Sequence, residues 1–316
     1  PGPAVRVPRG VRAGTPLTSS ATPRPGAGTG EGSSAPDQLE LEVLHEAPGL
    51  PAMPLPPHLG KAYGGSLGFR SPVLFGNLVA TVDGITALDD QTPPAAVADR
   101  STADRFVMGL LRACAEAILV GASTLRAEPR HRWLPEKAFP AAAADFAELR
   151  AALGLPERPR LVVVTASGDL DPALPALADE ATVLTTRAGA ERLRSAAGAA
   201  LPALRIRALG EGPLLDGNLI VDAVRREGHR TVLTEGGPHL IGALLEAQRL
   251  DELFLTVSPL LAGDRFVPGR RGVVEGVHFG PERRGRGGLR RASLLSVRRH
   301  DSHLFLRYVL ASHSPH

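Results

Sequence analysis

The stretch VLTEGGPHLIGALLEAQRLDELFLTVSPLLAG, residues 232–263, decides how the rest of the sequence is interpreted. A short apolar run, 231–233, meets two glycines and continues as a helix-like pattern over 238–249. A second apolar run, 251–263, follows at once. The spacing predicts a strand, a glycine turn, a helix and another strand, which is the connection between parallel strands.

The same alternation recurs upstream and predicts an α/β fold. Apolar strand-like runs that end in small or polar residues are 71–84, 116–123, 158–168 and 181–187. Helix-like runs are 101–115, 124–128 and 218–229. Strands that alternate with helices indicate a mostly parallel sheet covered on both faces. Residues 292–310 break the rhythm and predict two antiparallel strands around the turn residues Asp301-Ser302.

Composition excludes several classes of protein. The chain has 316 residues, 43% of them hydrophobic, and no run of eighteen apolar residues, so we expect a sizeable core and no membrane span. The single cysteine, Cys114, excludes an internal disulfide and a cysteine-based zinc site. The net charge is +3 but aromatic residues make up only 4%, which argues against a single-strand nucleic-acid platform. We expect a cytoplasmic protein.

Three segments are predicted along the chain. Residues 1–36 are rich in Pro, Gly, Ser and Thr and are interpreted as a disordered N-terminal tail, with a transit peptide as the alternative. Residues 37–69 form an N-terminal extension, and residues 70–312 form the folded domain. Within it, the Gly/Arg-rich stretch 268–291 is interpreted as a solvated loop, with RNA binding through 283–291 as the alternative.

The glycines indicate a phosphorylated ligand. Small residues follow several strand ends, namely Gly121–Thr124, Thr165–Gly168 and Gly236-Gly237. In an open parallel sheet, ligands bind beyond the carboxyl ends of the strands, where helix starts offer unpaired N–H groups. Two glycine turns therefore favour a dinucleotide, although no G-x-G-x-x-G fingerprint follows a strand and no phosphate-binding P-loop is present.

Three motifs carry a resemblance to a known family: VATVDGI, LLRACAEAILVGASTLRAEPR and the stretch 232–263. Together they resemble the reductase domain of bacterial riboflavin biosynthesis, the pyrimidine reductase branch of the dihydrofolate-reductase-like fold. The resemblance implies a three-layer sandwich with a mostly parallel central sheet and antiparallel C-terminal strands. It also implies NADPH as cofactor and a homodimer, for which the apolar strand 253–260 is suited. The zinc-dependent deaminase half that often precedes this domain is absent, since one cysteine cannot supply its zinc signature.

The resemblance also implies which residues touch the cofactor. Val79 and Ala80 would lie on the nicotinamide side, and Thr81 would begin the loop that closes over it. The other implied cofactor contacts lie at strand ends and helix starts: Gly121, Ser123, Thr124 and Glu128; Thr165, Ala166 and Ser167 at the adenosine 2′-phosphate; Gly236, Gly237, Pro238, Leu240, Ile241 and Gly242 around the pyrophosphate and nicotinamide ribose.

Substrate contacts and proton donors are less well defined by the resemblance. Arg112 and Glu235 match substrate-side positions, and Arg130, with Arg132 as the alternative, is expected to meet a substrate phosphate. Asp83 and Glu235 are the candidate catalytic groups, because a proton must accompany hydride transfer. The segment 87–101 departs from the family pattern. This departure leaves open a dihydrofolate- or pterin-type substrate, or a non-catalytic NADPH-binding protein.

A separate hypothesis concerns the glycine pair. The Gly236-Gly237 peptide is expected to be strained in a way that only glycine tolerates. Replacement of Gly237 by alanine is then expected to weaken NADPH binding sharply.

Overall fold

A computed structural model describes residues 39–89, 92–197, 204–264, 267–279 and 289–310. Ten strands form one sheet in the order β1-β11-β12-β9-β2-β8-β4-β5-β6-β7, and β3 and β10 form a small second sheet. The strands are β1 Glu42–Glu46, β2 Val73–Thr81, β3 Ile85–Ala87, β4 Ala117–Gly121, β5 Arg160–Thr165, β6 Thr182–Thr185, β7 Arg205–Ala208, β8 Thr231–Thr234, β9 Glu252–Ser258, β10 Arg271–Gly272, β11 Ala292–His300 and β12 His303–Leu310.

Helices cover both faces of the sheet. They are α1 Pro57–Tyr63, α2 Pro94–Val97, α3 Thr102–Cys114, α4 Ala122–Ala127, α5 Pro135–Ala138, α6 Ala143–Ala152, α7 Arg187–Ala197, α8 Gly217–Arg226 and α9 Pro238–Glu246. Core residues of α1, α3, α6 and α7 share one hydrophobic cluster, whereas α8 and α9 contribute to a second cluster. The predicted three-layer arrangement is therefore confirmed.

The sheet has a parallel part and an antiparallel part, as the alternation predicts. Strands β9, β2, β8, β4, β5, β6 and β7 pair in parallel. Strands β1, β11, β12 and β9 pair antiparallel. Strand β2 is apolar on both faces because Phe75 packs into one core cluster and Leu74 into the other. At the β11–β12 turn Asp301 adopts a φ of 50°, a conformation that aspartate tolerates.

The extension 39–69 is joined to this sheet. Strand β1 pairs with β11, and Leu41, Leu59 and Tyr63 lie in the larger core cluster. The buried Arg298 donates to the Tyr63 carbonyl at 2.8 Å. The tail proposed for residues 1–36 lies outside the described residues.

Part of the segment 268–291, most of which is predicted to be a solvated loop, makes backbone contacts with the rest of the domain. Strand β10 pairs with β3. The Glu275 N–H donates to the Pro238 carbonyl at 3.2 Å, at the start of α9. The approach of Glu275 to α9 is possible because Gly242 of that helix has no Cβ. Residues 280–288, which include most of the proposed RNA-binding stretch, lie outside the described residues. No helix within the described part of the chain is long and apolar enough to cross a membrane.

Candidate active site

Two glycine-bearing strand ends meet at the carboxyl edge of the sheet. Gly121 is the N-cap residue of α4 and Gly237 is the N-cap residue of α9. Strands β4 and β8 are neighbours, and the Glu235 N–H donates to the Leu119 carbonyl at 3.1 Å. A Cβ placed on Gly237 would lie 3.9 Å from Thr124 Oγ1. We call Gly121–Thr124 together with Gly236–His239 the glycine crossing.

The strain predicted for the Gly236-Gly237 pair is wrong. Gly237 has φ −65° and ψ 174°, which any residue adopts. Gly236 is not among the residues with positive φ. Gly236 is needed for a different reason, since a Cβ there would overlap the side chain of Leu240. At Gly237, in contrast, a Cβ would only touch Thr124 Oγ1 of α4, at 3.9 Å.

The rest of the first turn of α9 is mostly core. Pro238, Leu240 and Ile241 are buried, and Leu240 and Ile241 belong to the second core cluster. Their side chains pack inside the protein, so the main-chain atoms and the exposed His239 side chain of this turn remain for a cofactor. The role predicted for Gly242, a cofactor contact, needs a larger correction. A Cβ on it would overlap the Glu275 carbonyl, so this glycine admits the segment after β10 and not a ligand.

The predicted adenosine end lies beyond β5. Thr165 Oγ1 accepts from the Gly168 N–H at 3.2 Å, and the Ala166 carbonyl accepts from Thr186 Oγ1 at 2.8 Å. The Ser167 carbonyl accepts from Arg192 Nη1 at 2.9 Å. An exposed guanidinium that the sequence analysis did not single out therefore stands at the position expected for the 2′-phosphate.

The end of β2 is held by its own turn. Val79 is half-buried, and Ala80 and Thr81 are buried. Thr81 Oγ1 donates to Asp83 at 2.5 Å and accepts from the Ile85 N–H at 3.0 Å.

Asp83, predicted as a catalytic group, anchors a loop. Its carboxylate accepts from the Gly263 N–H at 2.7 Å and from the Ala262 N–H at 3.1 Å. Hydrogen bonds from Thr81, Ala262 and Gly263 lower the pKa of Asp83 to about 2. A carboxylate with that pKa stays ionised at neutral pH, which corrects its assignment as a proton donor.

Arg112 and Glu235 are brought together as the core of a charged cluster. Arg112 Nε and Nη2 donate to the Glu235 carboxylate at 2.9 and 2.7 Å, in the bidentate geometry that favours this pair. The side chains are 2% and 9% exposed, so the pair is buried. Arg112 Nη1 also donates to the Leu134 carbonyl at 3.4 Å. Arg112 thus holds Glu235 and is not free to bind substrate, contrary to the role implied for it.

His131 and Glu128 complete the charged cluster. His131 Nε2 lies 3.0 Å from Arg112 Nη2. A guanidinium only donates, so this nitrogen accepts and the proton of the neutral ring is on Nδ1. Burial and the neighbouring Arg112 lower the pKa of His131 to about 4. Burial raises the pKa of Glu128, which caps the end of α4.

The predicted residues Ser123 and Arg130 are exposed near the same edge. They can therefore reach a ligand there, but nothing in their contacts assigns one.

A buried aspartate on α3 was missed by sequence reasoning. Asp104 is 5% exposed and its N–H donates to the N-cap Ser101 Oγ at 3.2 Å. Burial, opposed by a hydrogen bond from Thr256, raises the pKa of Asp104 to about 6. An acidic residue in a first helical turn usually marks a favourable interaction with the helix dipole, so no sequence signal distinguished this one.

The sequence matches the family profile described as "RibD C-terminal domain" over residues 72–282. No curated protein sequence gives a significant match.

Solved structures of this family share the fold. A pyrimidine reductase-like protein from Corynebacterium diphtheriae is 19% identical, with 76% of this chain and 92% of that chain covered and a TM-score of 0.58. Acinetobacter baumannii RibD is 18% identical, with coverages of 80% and 60% and a TM-score of 0.51. A deaminase/5-amino-6-(5-phosphoribosylamino)uracil reductase from Thermotoga maritima is 17% identical, with coverages of 76% and 57% and a TM-score of 0.52. The chain therefore spans less than two thirds of the latter two proteins.

Proposed function

Because the chain belongs to the RibD C-terminal domain family, the reductase family of riboflavin biosynthesis, we propose that it is an NADPH-dependent reductase. Its proposed substrate is a pyrimidine intermediate of the 5-amino-6-(5-phosphoribosylamino)uracil type, the chemistry in the name of the Thermotoga protein. The observation that carries the proposal is the glycine crossing, where the starts of α4 and α9 lie close together and each has glycine as its N-cap residue.

The residues at the carboxyl edge fit this cofactor. Helix starts present unpaired N–H groups and a partial positive charge, which suit a pyrophosphate. The crossing would hold the pyrophosphate, and the 165–167 turn with Arg192 would hold the 2′-phosphate. When bound, NADPH supplies a hydride to an electrophilic carbon of the substrate.

Glu235 is proposed to anchor the substrate. Arg112 uses both carboxylate oxygens, yet Oε1 accepts only one N–H, at 2.9 Å, whereas Oε2 accepts two. A carboxylate oxygen has two lone pairs, so Oε1 keeps capacity for an N–H or O–H of the substrate. The bidentate pairing fixes its orientation before the substrate arrives.

Binding is tested with Gly237→Ala, measured by calorimetry with NADPH. The added Cβ meets no atom closer than 3.9 Å and needs no unusual φ, so the fold tolerates it. It projects into the crossing, and we expect the Kd to rise at least tenfold, about 1.4 kcal/mol. Gly210→Ala is the matched control, since its Cβ also has a nearest neighbour at 3.9 Å but lies away from the crossing. Equal affinities for both variants and wild type would contradict the proposal.

Activity is tested by NADPH oxidation with a substrate panel. The ribosylaminopyrimidine phosphate is expected to be reduced. Preferential reduction of dihydrofolate or a pterin would favour the second candidate, which rests on the departure of residues 87–101 from the family pattern. NADPH binding without oxidation of any substrate would identify a non-catalytic binding protein.

A homodimer is also proposed, on the basis of an apolar sheet face. Strands β9 and β12 alternate between buried and half-buried residues. The half-buried set belongs to neither core cluster: Leu253, Leu255, Val257, Leu304, Leu306 and Tyr308. A second copy could cover this face by isologous packing. Leu306→Lys is expected to give a monomer in light scattering, whereas Leu214→Lys, at an 82% exposed position, is not. A monomeric wild type would contradict the dimer.

A further inference from the structure

Buried polar groups gather around Asp104 on the α3 side of the sheet. Asp104 is buried, and Thr256 on β9 is near enough to lower the pKa of its carboxyl against the larger, opposite effect of burial. Thr256 pairs with Val79, and Ser258 pairs with Thr81, so both lie beside the end of β2. This is the part of β2 where the nicotinamide is expected. Asp104, in the first turn of α3, is therefore near the strand that pairs with this end of β2.

One member of this group lacks a partner. Ser258 is 0% exposed, and its hydroxyl makes no hydrogen bond within the described residues. Buried hydroxyls are almost always bonded, so an unbonded one marks a place where a ligand or water completes the site. Thr256 and Ser258 point to the same face of β9 because successive side chains alternate. The unmet bond therefore lies next to the group that holds Asp104.

The charges that face Asp104 come from several elements. Arg112 lies on the same helix, Glu235 follows β8, and His303 begins β12. His303 Nε2 donates to the Ala98 carbonyl at 3.1 Å, which ties β12 to the turn before α3. In that turn Asp99 and Arg100 have left-handed φ values of 51° and 53°. Such backbone strain is concentrated at functional sites.

We propose that Asp104 is the group that protonates the substrate during reduction. This inference rests on the proposed function. The hydride brings two electrons and one proton to the carbon of a C=N or C=O bond, so the bond becomes single and its heteroatom gains an electron pair. The carboxylic acid of Asp104 gives that heteroatom its proton and becomes a carboxylate.

Asp104 then needs a proton from water. Thr256 also lines a small cavity whose walls are mostly apolar but include the polar residues Asn77, Ser296 and Arg307. These polar residues offer hydrogen-bond partners to a water beside Thr256. The acid is thereby restored for the next turnover without an additional reactant.

The test compares Asp104→Asn with wild type in NADPH oxidation of the ribosylaminopyrimidine phosphate from pH 5 to 8.5. The acid form is the active one, and the buried carboxyl has a pKa near 6, so wild-type kcat should fall as the pH rises through about 6. Asp104→Asn should lower kcat by about 10²–10⁴-fold, leave KM nearly unchanged and remove this pH dependence. Asp104→Glu should recover part of the rate.

A second measurement does not depend on activity. The pKa of Asp104 is raised on folding, so its contribution to stability is full below the ordinary aspartate pKa and is lost as the pH rises through about 6. Wild-type Tm should therefore fall relative to that of Asp104→Asn between pH 5 and 7. A constant Tm difference would overturn the claim that Asp104 holds the proton.

His303 is the alternative proton donor, because its imidazole is the other ionisable ring that faces Asp104. His303→Gln keeps a donor for the Ala98 carbonyl and should retain the pH dependence of kcat. Two results would overturn the role of Asp104 but not the proposed function. One is loss of the pH dependence of kcat in His303→Gln. The other is persistence of that pH dependence in Asp104→Asn, with kcat within threefold of wild type. A wild type that reduces no substrate overturns both the proposed function and this inference.

Discussion

The glycine crossing and the charged cluster are neighbours, separated only by the peptide bond between Glu235 and Gly236, yet their polar groups are satisfied in opposite ways. In the charged cluster, Arg112 is bonded to Glu235, His131 and the Leu134 carbonyl. In the crossing, Gly237 contributes bare backbone, and a Cβ there would have Thr124 Oγ1 as its nearest atom at 3.9 Å. In the cluster the side chains are bonded to one another and only Glu235 Oε1 keeps spare capacity, whereas the crossing presents backbone groups to a ligand.

This difference indicates that the charged cluster positions side chains, whereas the glycine crossing binds a ligand. Paired side chains in a buried cluster are fixed before a ligand arrives, at the cost of removing charge from water. Bare backbone keeps its hydrogen-bonding capacity available for an anion. Mutations in the two regions should therefore have different readouts: stability first in the cluster, and ligand affinity first in the crossing.

The largest effect is expected for Glu235→Gln. It leaves the guanidinium of Arg112, 2% exposed, without its counter-charge. Breaking a buried pair by removing one partner costs about 3–5 kcal/mol, to be measured by urea unfolding. The matched control is Glu211→Gln, whose pair with Arg187 at 2.6 Å is exposed on both sides, and about 0–1 kcal/mol is expected there.

Similar losses in the free energy of unfolding for Glu235→Gln and Glu211→Gln would contradict this contrast between the two regions. The substrate role of Glu235 is judged separately, under conditions where the variant is folded. Catalytic efficiency equal to that of wild type would reject Glu235 as the substrate anchor and leave only its structural pairing with Arg112.

The sequence predicted the features that depend on local pattern. The strands buried on both faces, such as β2 and β4, appear as continuous apolar runs, and the β11–β12 hairpin shows its turn residues. Strand β7 was missed because it is an edge strand of four residues, two of them arginine. Strand β1 was missed as a strand because all five of its residues are exposed.

In the candidate site, too, the sequence predicted the features that lie within one segment but not the contacts between segments. The glycine crossing is visible because strand, glycine and helix are adjacent in the sequence. The role of Asp104 depends on Thr256 and His303, and that of His131 on Arg112. Those contacts are created by the order of strands in the sheet, which no single segment contains. Gly242 was misassigned for the same reason, because its neighbour is Glu275.

A smaller effect, on the crossing side of the comparison, is expected for Arg192→Gln. Arg192 is exposed and donates to the Ser167 carbonyl, where the 2′-phosphate of NADPH is proposed to lie. Loss of one charged hydrogen bond to phosphate should weaken NADPH binding by about 10- to 150-fold, since such bonds contribute about 1.5–3 kcal/mol. NADH, which lacks that phosphate, should bind unchanged. Calorimetry with both cofactors measures this, and Arg194→Gln on the same helix is the control. Equal losses for the two cofactors would refute the placement.

The smallest effect is expected for Asp83→Asn. This variant tests whether Asp83 and Asp104 differ in pKa as their surroundings indicate. The pKa of Asp83 is lowered to about 2, so its stabilising contribution is present above the ordinary aspartate pKa and lost only as the pH falls through about 2. Between pH 5 and 8 the residue does not titrate, and the variant should keep the pH dependence of kcat near 6. Asparagine offers one acceptor oxygen in place of two, so the amides of Ala262 and Gly263 should exchange hydrogen faster. If the pH dependence disappeared in Asp83→Asn, the proton donor would belong to the β2–β3 turn and not to α3.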